Sequence, residues 1–217
     1  VTSFVLVGTR ILSELDTYKD EPAQTSSSAK KDFPRIHFYD QDFVDIYDQT
    51  WAWSHDFWRK ATAKSGFSSN YFNYPDNSTI VQFEAILSTF FLVYSNRIYP
   101  AAPQLDNFYA KQEENGAIRG EYSVKDGRPV LPKDNPEGVQ PPLFAWAEYN
   151  IYHKIGNKKR VRDVMPVLER YFAWLDETFK DESGLYVVPQ CATMMQNCPR
   201  KSAYYLVDFN AQQALNA

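Results

Sequence analysis

Cysteine is nearly absent from this 217-residue chain: only Cys191 and Cys198 occur, too few for a disulfide framework. One bridge between them is open, although nothing in their spacing demands it. Histidine is as scarce. His37, His55 and His153 are scattered, and with no second Cys or His pair near them the two thiols match no zinc-site pattern. An excess of charge of one sign is also missing. With 23 Lys and Arg against 27 Asp and Glu, the net charge of −4 and a pI near 5.4 give no reason to expect a polyanion, so nucleic acid is not an expected partner. Long apolar runs are lacking: the longest, Ile86–Tyr94, is too short to cross a bilayer and contains Ser88 and Thr89. The start at Val1 shows no basic stretch and no signal-peptide pattern. No membrane partner is expected.

What the chain does carry is aromatic weight. Five Trp, fifteen Tyr and fifteen Phe make up 16% of the residues, within a hydrophobic fraction of 44% that suffices for a sizeable core. An aromatic ring offers an apolar face, and Tyr and Trp add a polar handle. That combination suits a sugar, whose C–H face is apolar and whose hydroxyls need hydrogen bonds. Packing between helices is the plainer use of the same rings.

The order of segments predicts a mostly helical chain. Residues 1–15 open with the strand-like FVLVG, and 17–31 is a polar stretch with SSS, Pro22 and KK that reads as a linker. Residues 1–36 are therefore expected to be the end of an upstream module plus linker, with the main domain over 37–217. Phe43, Ile46, Tyr47, Thr50, Trp51, Ser54, Trp58 and Ala61 recur at helical spacing behind a possible cap at Asp42. A second helix is expected over 79–97, with an inward stripe of Ile80, Phe83, Leu87, Phe91 and Tyr94 and a cap at Asn77 or Ser78. Further helices are expected over 104–114, stopping at Asn115-Gly116, then 143–154, ending at Gly156, and 158–180. Pro166 either kinks the last of these or marks its first turn. The stretch 117–138 reads as a long irregular loop. A final helix begins near Ala203 and shows no stop signal by Ala217, so the chain looks cut at both ends.

Several residues stand out chemically. Glu84 and Glu148 fall on the apolar stripes of their helices, where a carboxylate is costly unless paired or functional. Arg119 and Glu121 stand together just after a helix stop, in a position suited to hydroxyls or a carboxylate; a surface ion pair is the plainer alternative. Trp146, in LFAWAEY, can stack on a sugar or pack in the core.

Four segments in order carry a resemblance: LDNFYAKQEENGAIRGEY, then VQPPLFAWAEYNIYHKIGNKKRVRDVMPVLERYFAWLDE, then MMQNCPR, then YYLVDFNAQQALNA. Together they resemble six-hairpin glycosidases of the trehalase and glycoside hydrolase family 63 type. The resemblance covers residues 43–217 and implies an all-α (α/α)6 toroid of which the first half is present. It also implies inverting hydrolysis of a glycosidic bond in an oligosaccharide, no cofactor, no metal, and a partner in the missing remainder of the same chain. Export to the periplasm or medium is what the family favours.

The MMQNCPR segment is similar to the family's G-M-D-N-S-P-R loop, whose Asp is the general acid; a Glu far downstream is the base. Gln196 occupies the acid position here, while Asn197, Pro199 and Arg200 agree with the motif. Phe83-Glu84 matches a Trp-Asp pair of the family. An amide cannot deliver a proton near neutral pH, so three explanations are open. Glu84 or Glu121 has taken over proton donation, the chain is a sugar-binding relative without activity, or the short motif is aligned a residue or two off. Arg119, Trp146, Asn197 and Arg200 are the expected substrate contacts. Outside carbohydrate chemistry, a helical interaction scaffold is the alternative.

Overall fold

A computed structural model of the chain describes residues 33–74, 76–195 and 205–217. Six α-helices lie among the described residues: α1 (Gln41–Phe57), α2 (Gln82–Leu92), α3 (Pro103–Tyr109), α4 (Phe144–Ile155), α5 (Lys158–Phe179) and α6 (Val207–Asn216). Short antiparallel pairs join β1 (Trp58–Arg59) to β2 (Tyr71–Phe72) and β3 (Thr79–Val81) to β4 (Glu121–Ser123). The chain is thus mostly α, as its periodicity implied. The four strands are what periodicity missed.

The boundaries follow local chemistry. Asp40, not Asp42, caps α1, its carboxylate accepting from the Asp42 N–H at 3.0 Å. The helix stops at Phe57 rather than running to Ala61, because Trp58 turns extended to pair with Phe72. Of its expected inward stripe within the helix only Ser54 is buried, and Phe43 and Ile46 stay exposed. The helix expected over 79–97 begins three residues late, since Thr79–Val81 pairs with Glu121–Ser123 first. Those partners fall in the stretch read as irregular.

The face of α2 also differs from the expected stripe. Gln82, Ala85, Ile86, Ser88, Thr89 and Leu92 are buried, whereas Glu84, Leu87, Phe91 and Tyr94 are exposed. Small and polar residues can serve as an inner face because most of their polar atoms are paired, although Gln82 Oε1 is buried without a partner. Ser88 and Thr89 hydroxyls donate back to the carbonyls of Ala85 and Ile86, and the Gln104 amide of α3 donates to Ala85 O and Ser88 Oγ. An apolar count alone cannot find such a face.

Helix α3 is shorter than expected, starting on Pro103, and every one of its residues is buried. Gly116 is not its C-cap but the corner of a later turn at φ +94°, where an added Cβ would meet the Arg170 carbonyl carbon at 3.0 Å. Gly116→Ala combines a left-handed backbone with that collision and is expected to cost about 1–3 kcal/mol, measured as a lower urea midpoint. An unchanged midpoint would show that the corner relaxes freely.

Helices α4 and α5 form a hairpin that the sequence marks clearly. Gly156 takes the left-handed conformation at φ 73° to end α4, and Asn157 caps α5 by accepting from the Arg160 N–H at 3.1 Å. Pro166 lies inside α5, which continues through it, on an exposed face where water can reach the carbonyl it leaves unpaired. Helix α6 starts at Val207 rather than near Ala203, and seats Phe209 and Gln213 inward.

The main core joins α2, α3, α4 and α5 through Ile86, Leu105, Phe108, Phe144, Ile151, Tyr171 and Leu175. Aromatic rings form a chain within it: Phe144 contacts Phe108, Tyr109 and Tyr171 with centroids 5.2–5.9 Å apart. A large share of the aromatic weight noted in the sequence is spent here, on packing.

At one point this core is ionic. Arg160 of α5 donates to both carboxylate oxygens of Glu148 on α4 at 2.8 and 2.7 Å, and to Asp106 on α3 at 3.3 and 3.1 Å. It also donates to Ala102 O at 3.0 Å, and the Tyr109 hydroxyl donates to Glu148 at 2.9 Å. Two carboxylates share one guanidinium in a dry site, so one negative charge is in excess. Burial accordingly pushes Asp106 up to about 6, against the opposing pull of Arg160.

Candidate active site

Two carboxylates meet where the β3–β4 pair runs into α2. Glu121 opens β4 directly opposite Val81, the last residue of β3. Its carboxylate accepts from the Thr79 hydroxyl across the pair. Glu84 stands in the first turn of α2, three residues beyond Val81. It is exposed rather than inward-facing as the stripe suggested, yet its carboxyl loses part of its hydration to the surrounding protein. That desolvation, and then the charge of Glu121, raises the pKa of Glu84 above the ordinary carboxylate range. The two candidate acids are thus near enough for the charge of Glu121 to act on Glu84. Glu121 is held by a hydroxyl donor, and Glu84 keeps its proton to higher pH.

The start of α2 is fixed by a loop far away in sequence. Gln82 N–H donates to Gly120 O at 2.7 Å and Phe83 N–H donates to Gln140 Oε1 at 3.1 Å. Gln82 Nε2 donates to Pro141 O at 2.9 Å. Two of the four N–H groups that a helix start leaves over are thus satisfied by the loops carrying Glu121 and Gln140.

Arg119 is buried, at 6% exposure, in keeping with a tie inside the fold. Its Nε donates to Glu113 at 3.2 Å and its guanidinium lies 5.5 Å from the Trp174 ring. It also lines a cavity of about 30 Å³ with Glu121, Leu131, Glu137, Gly138 and Gln140. Glu84 lines another of about 10 Å³ with Tyr71, Asn73 and Gln104. Either has room for about one water. A pyranose enters neither.

Trp146 lies elsewhere. It is half-buried against Phe90, centroids 4.3 Å apart, and lines a groove of about 790 Å³ between α4, α5 and the end of α6. Tyr152, Met165, Leu168, Phe172 and Leu175 form the apolar walls of that groove. Glu148, the other carboxylate on an inward face, is answered by Arg160 and Tyr109 as described, so its place in the core is structural.

Gln196, Asn197 and Arg200 lie outside the described residues, as does Cys198. Cys191 is a half-buried free thiol 3.7 Å from Glu137 O. Among the described residues no group of three or more His, Cys, Asp or Glu could hold a metal ion. No helix among them is long and apolar enough to cross a membrane.

The sequence gives neither Thr79 nor Gln140 a role in the site. The run Gln140-Pro141-Pro142 is the only signal that could have found Gln140, because two prolines fix the chain beyond it; nothing local marks Thr79, whose role comes from a partner 42 residues away.

Comparison with known proteins places the chain in a class. Residues 4–213 match the family model described as mannosylglycerate hydrolase MGH1-like glycoside hydrolase domain. The chain belongs to this glycoside hydrolase family. It is also 44% identical, over 191 residues, to an uncharacterized protein of Borreliella burgdorferi. That alignment takes in 87% of this chain and 40% of the relative, so the chain spans well under half of the relative's length. No solved structure matches it.

Proposed function

We propose that this chain is the first half of an (α/α)6 catalytic domain that hydrolyses a glycosidic bond with inversion, and that Glu84 serves as its proton donor. The observation that carries this is the raised pKa of Glu84 beside Glu121, in a glycoside hydrolase domain whose expected acid position is Gln196. A donor must hold its proton near working pH, and a desolvated carboxyl next to a like charge does so. The sugar would lie across the small cavities at Arg119, Glu121 and Glu84, between walls that the rest of the domain supplies. The base would stand on that remainder, across the bond, about 6.5–9.5 Å from the donor as inversion requires. The family description makes mannosylglycerate and related short glycosides of acids or sugars the first substrates to try.

The groove at Trp146 is where the remainder of the domain would seat against this half. The expected result for the isolated 217-residue chain is self-association and a broad, non-cooperative melt, read by sedimentation and calorimetry. A monomer with a sharp transition would contradict the half-domain proposal.

Glu121 offers a test of the donor. An acid works only while protonated, so activity falls as pH rises through its pKa. Glu121→Gln removes the neighbouring negative charge, lowers the pKa of Glu84 and should move the alkaline limb of the pH–rate profile of the full-length protein to lower pH. An alkaline limb that stays put would mean that Glu84 does not control it.

Gln196 favours a second reading, sugar binding without hydrolysis. It predicts calorimetric affinity for glycosides with no turnover, and hydrolysis gained in Gln196→Asp.

A further inference from the structure

We propose that Gln140 is a positioning residue that sets the separation of Glu84 and Glu121. This rests on the assignment of that carboxylate pair as the site. Gln140 touches the residue that precedes each carboxylate. Its Oε1 accepts from the Phe83 N–H at 3.1 Å, one residue before Glu84. Its aliphatic part lies on Gly120, one residue before Glu121, so closely that an added Cβ would stand 2.7 Å from Gln140 Cδ and 2.9 Å from its Cβ. Only a glycine permits this approach. The Gly120 carbonyl in turn accepts from Gln82 N–H at 2.7 Å, and Gly120 N–H donates to Gly138 O at 2.8 Å. The result is a closed loop of contacts, α2 to Gly120 to the 138–140 segment and back to α2, with Gln140 as the side chain that shuts it.

Its neighbours give that position leverage. The amide lines one small cavity with Arg119, Glu121 and Glu137, and Glu84 lines another with Tyr71, Asn73 and Gln104. Pro141 follows immediately, and its carbonyl is held by Gln82 Nε2 at 2.9 Å, so the backbone at 140 has little freedom to follow a shortened side chain. Truncating Gln140 removes the acceptor of Phe83 N–H, which loosens the turn carrying Glu84, and lets water into the space beside Glu121. Keeping its length but adding charge preserves that acceptor and places a third carboxylate among Glu121 and Glu137.

The test compares Gln140→Ala and Gln140→Glu in the full-length protein carrying ¹³C-carboxyl glutamate, with the Glu84 signal identified by its loss in Glu84→Gln. Gln140→Ala is expected to lower the titration midpoint of Glu84 and Gln140→Glu to raise it, each by roughly one pH unit. A role in stability alone would move melting temperatures and leave both midpoints where they are. Midpoints that do not move, or that move in the same direction, overturn the proposal. If Gln140→Ala does not fold, Gln140→Glu decides: a raised midpoint supports it and an unchanged or lowered one overturns it. Failure of the carboxylate pair as the site would appear separately, as glycosidase activity retained in Glu84→Gln.

Discussion

Arg160→Met should lower stability by about 3–5 kcal/mol, the cost of leaving buried carboxylates without their cation. Arg160 is the only cation bonded to Asp106 and Glu148 among the described residues, and it joins α3, α4 and α5 at one point. Methionine fills the aliphatic volume, so the loss reads the charge rather than a cavity. Urea denaturation of the full-length protein measures it. If Arg160→Met is too unstable to isolate, the triple replacement of Arg160, Asp106 and Glu148 by apolar residues of similar size should recover much of the loss; a triple variant as unstable as the single one would show that packing, not charge, governs the site.

The same cluster makes stability depend on pH in a stated direction. Asp106 is pushed up to about 6 in the folded protein, above its ordinary unfolded value. Between the two values the folded state binds the proton and the unfolded state does not. This contribution is therefore complete below the unfolded pKa and is lost as pH rises through about 6. Asp106→Asn should abolish that fall, giving a urea midpoint that changes less than the wild type's between pH 4.5 and 7.

The second large effect is on chemistry. Glu84→Gln should reduce kcat by about 10²–10⁴-fold, the usual loss on removing a general acid, with a much smaller change in KM. Gln and Glu have the same shape, and Glu84 is exposed, so the fold has little reason to respond. Glycosides with a good leaving group should be spared most of the loss, because they depart without a proton. A uniform loss across leaving groups would indicate damage to binding or folding instead of a missing donor.

How far the sequence foretold this depended on whether a contact was local. The α4–α5 hairpin was legible because Gly156 and Asn157 carry their own conformational preferences. The helix over 79–97 was misplaced because Thr79–Val81 finds its partner in Glu121–Ser123, which no local pattern reveals. Glu84 was marked for its position on an apolar stripe. The stripe proved to be the outer face of α2, and the inner one is built from Gln82, Ser88 and Thr89, where the Gln82 amide nitrogen and the two hydroxyls donate to the carbonyls of Pro141, Ala85 and Ile86. Glu84 and Glu121 were both marked, but their meeting was not. That followed from Gly120 and Gln140, whose contact joins residues 20 apart without a periodic signal. Arg119 was expected at a loop mouth facing substrate; its bonds to Glu113 and Trp174 turn most of it toward the core.

If Glu84 is the proton donor of a glycoside-hydrolysing domain, turnover requires its carboxyl and inverts the anomeric centre. Incubating the full-length protein with mannosylglycerate and a panel of short glycosides, while ¹H NMR follows the anomeric protons, tests it most directly. The expected result is a first-formed sugar of inverted configuration, with turnover that collapses in Glu84→Gln and persists in Gln196→Ala. Retained configuration, or hydrolysis that survives Glu84→Gln, would contradict it.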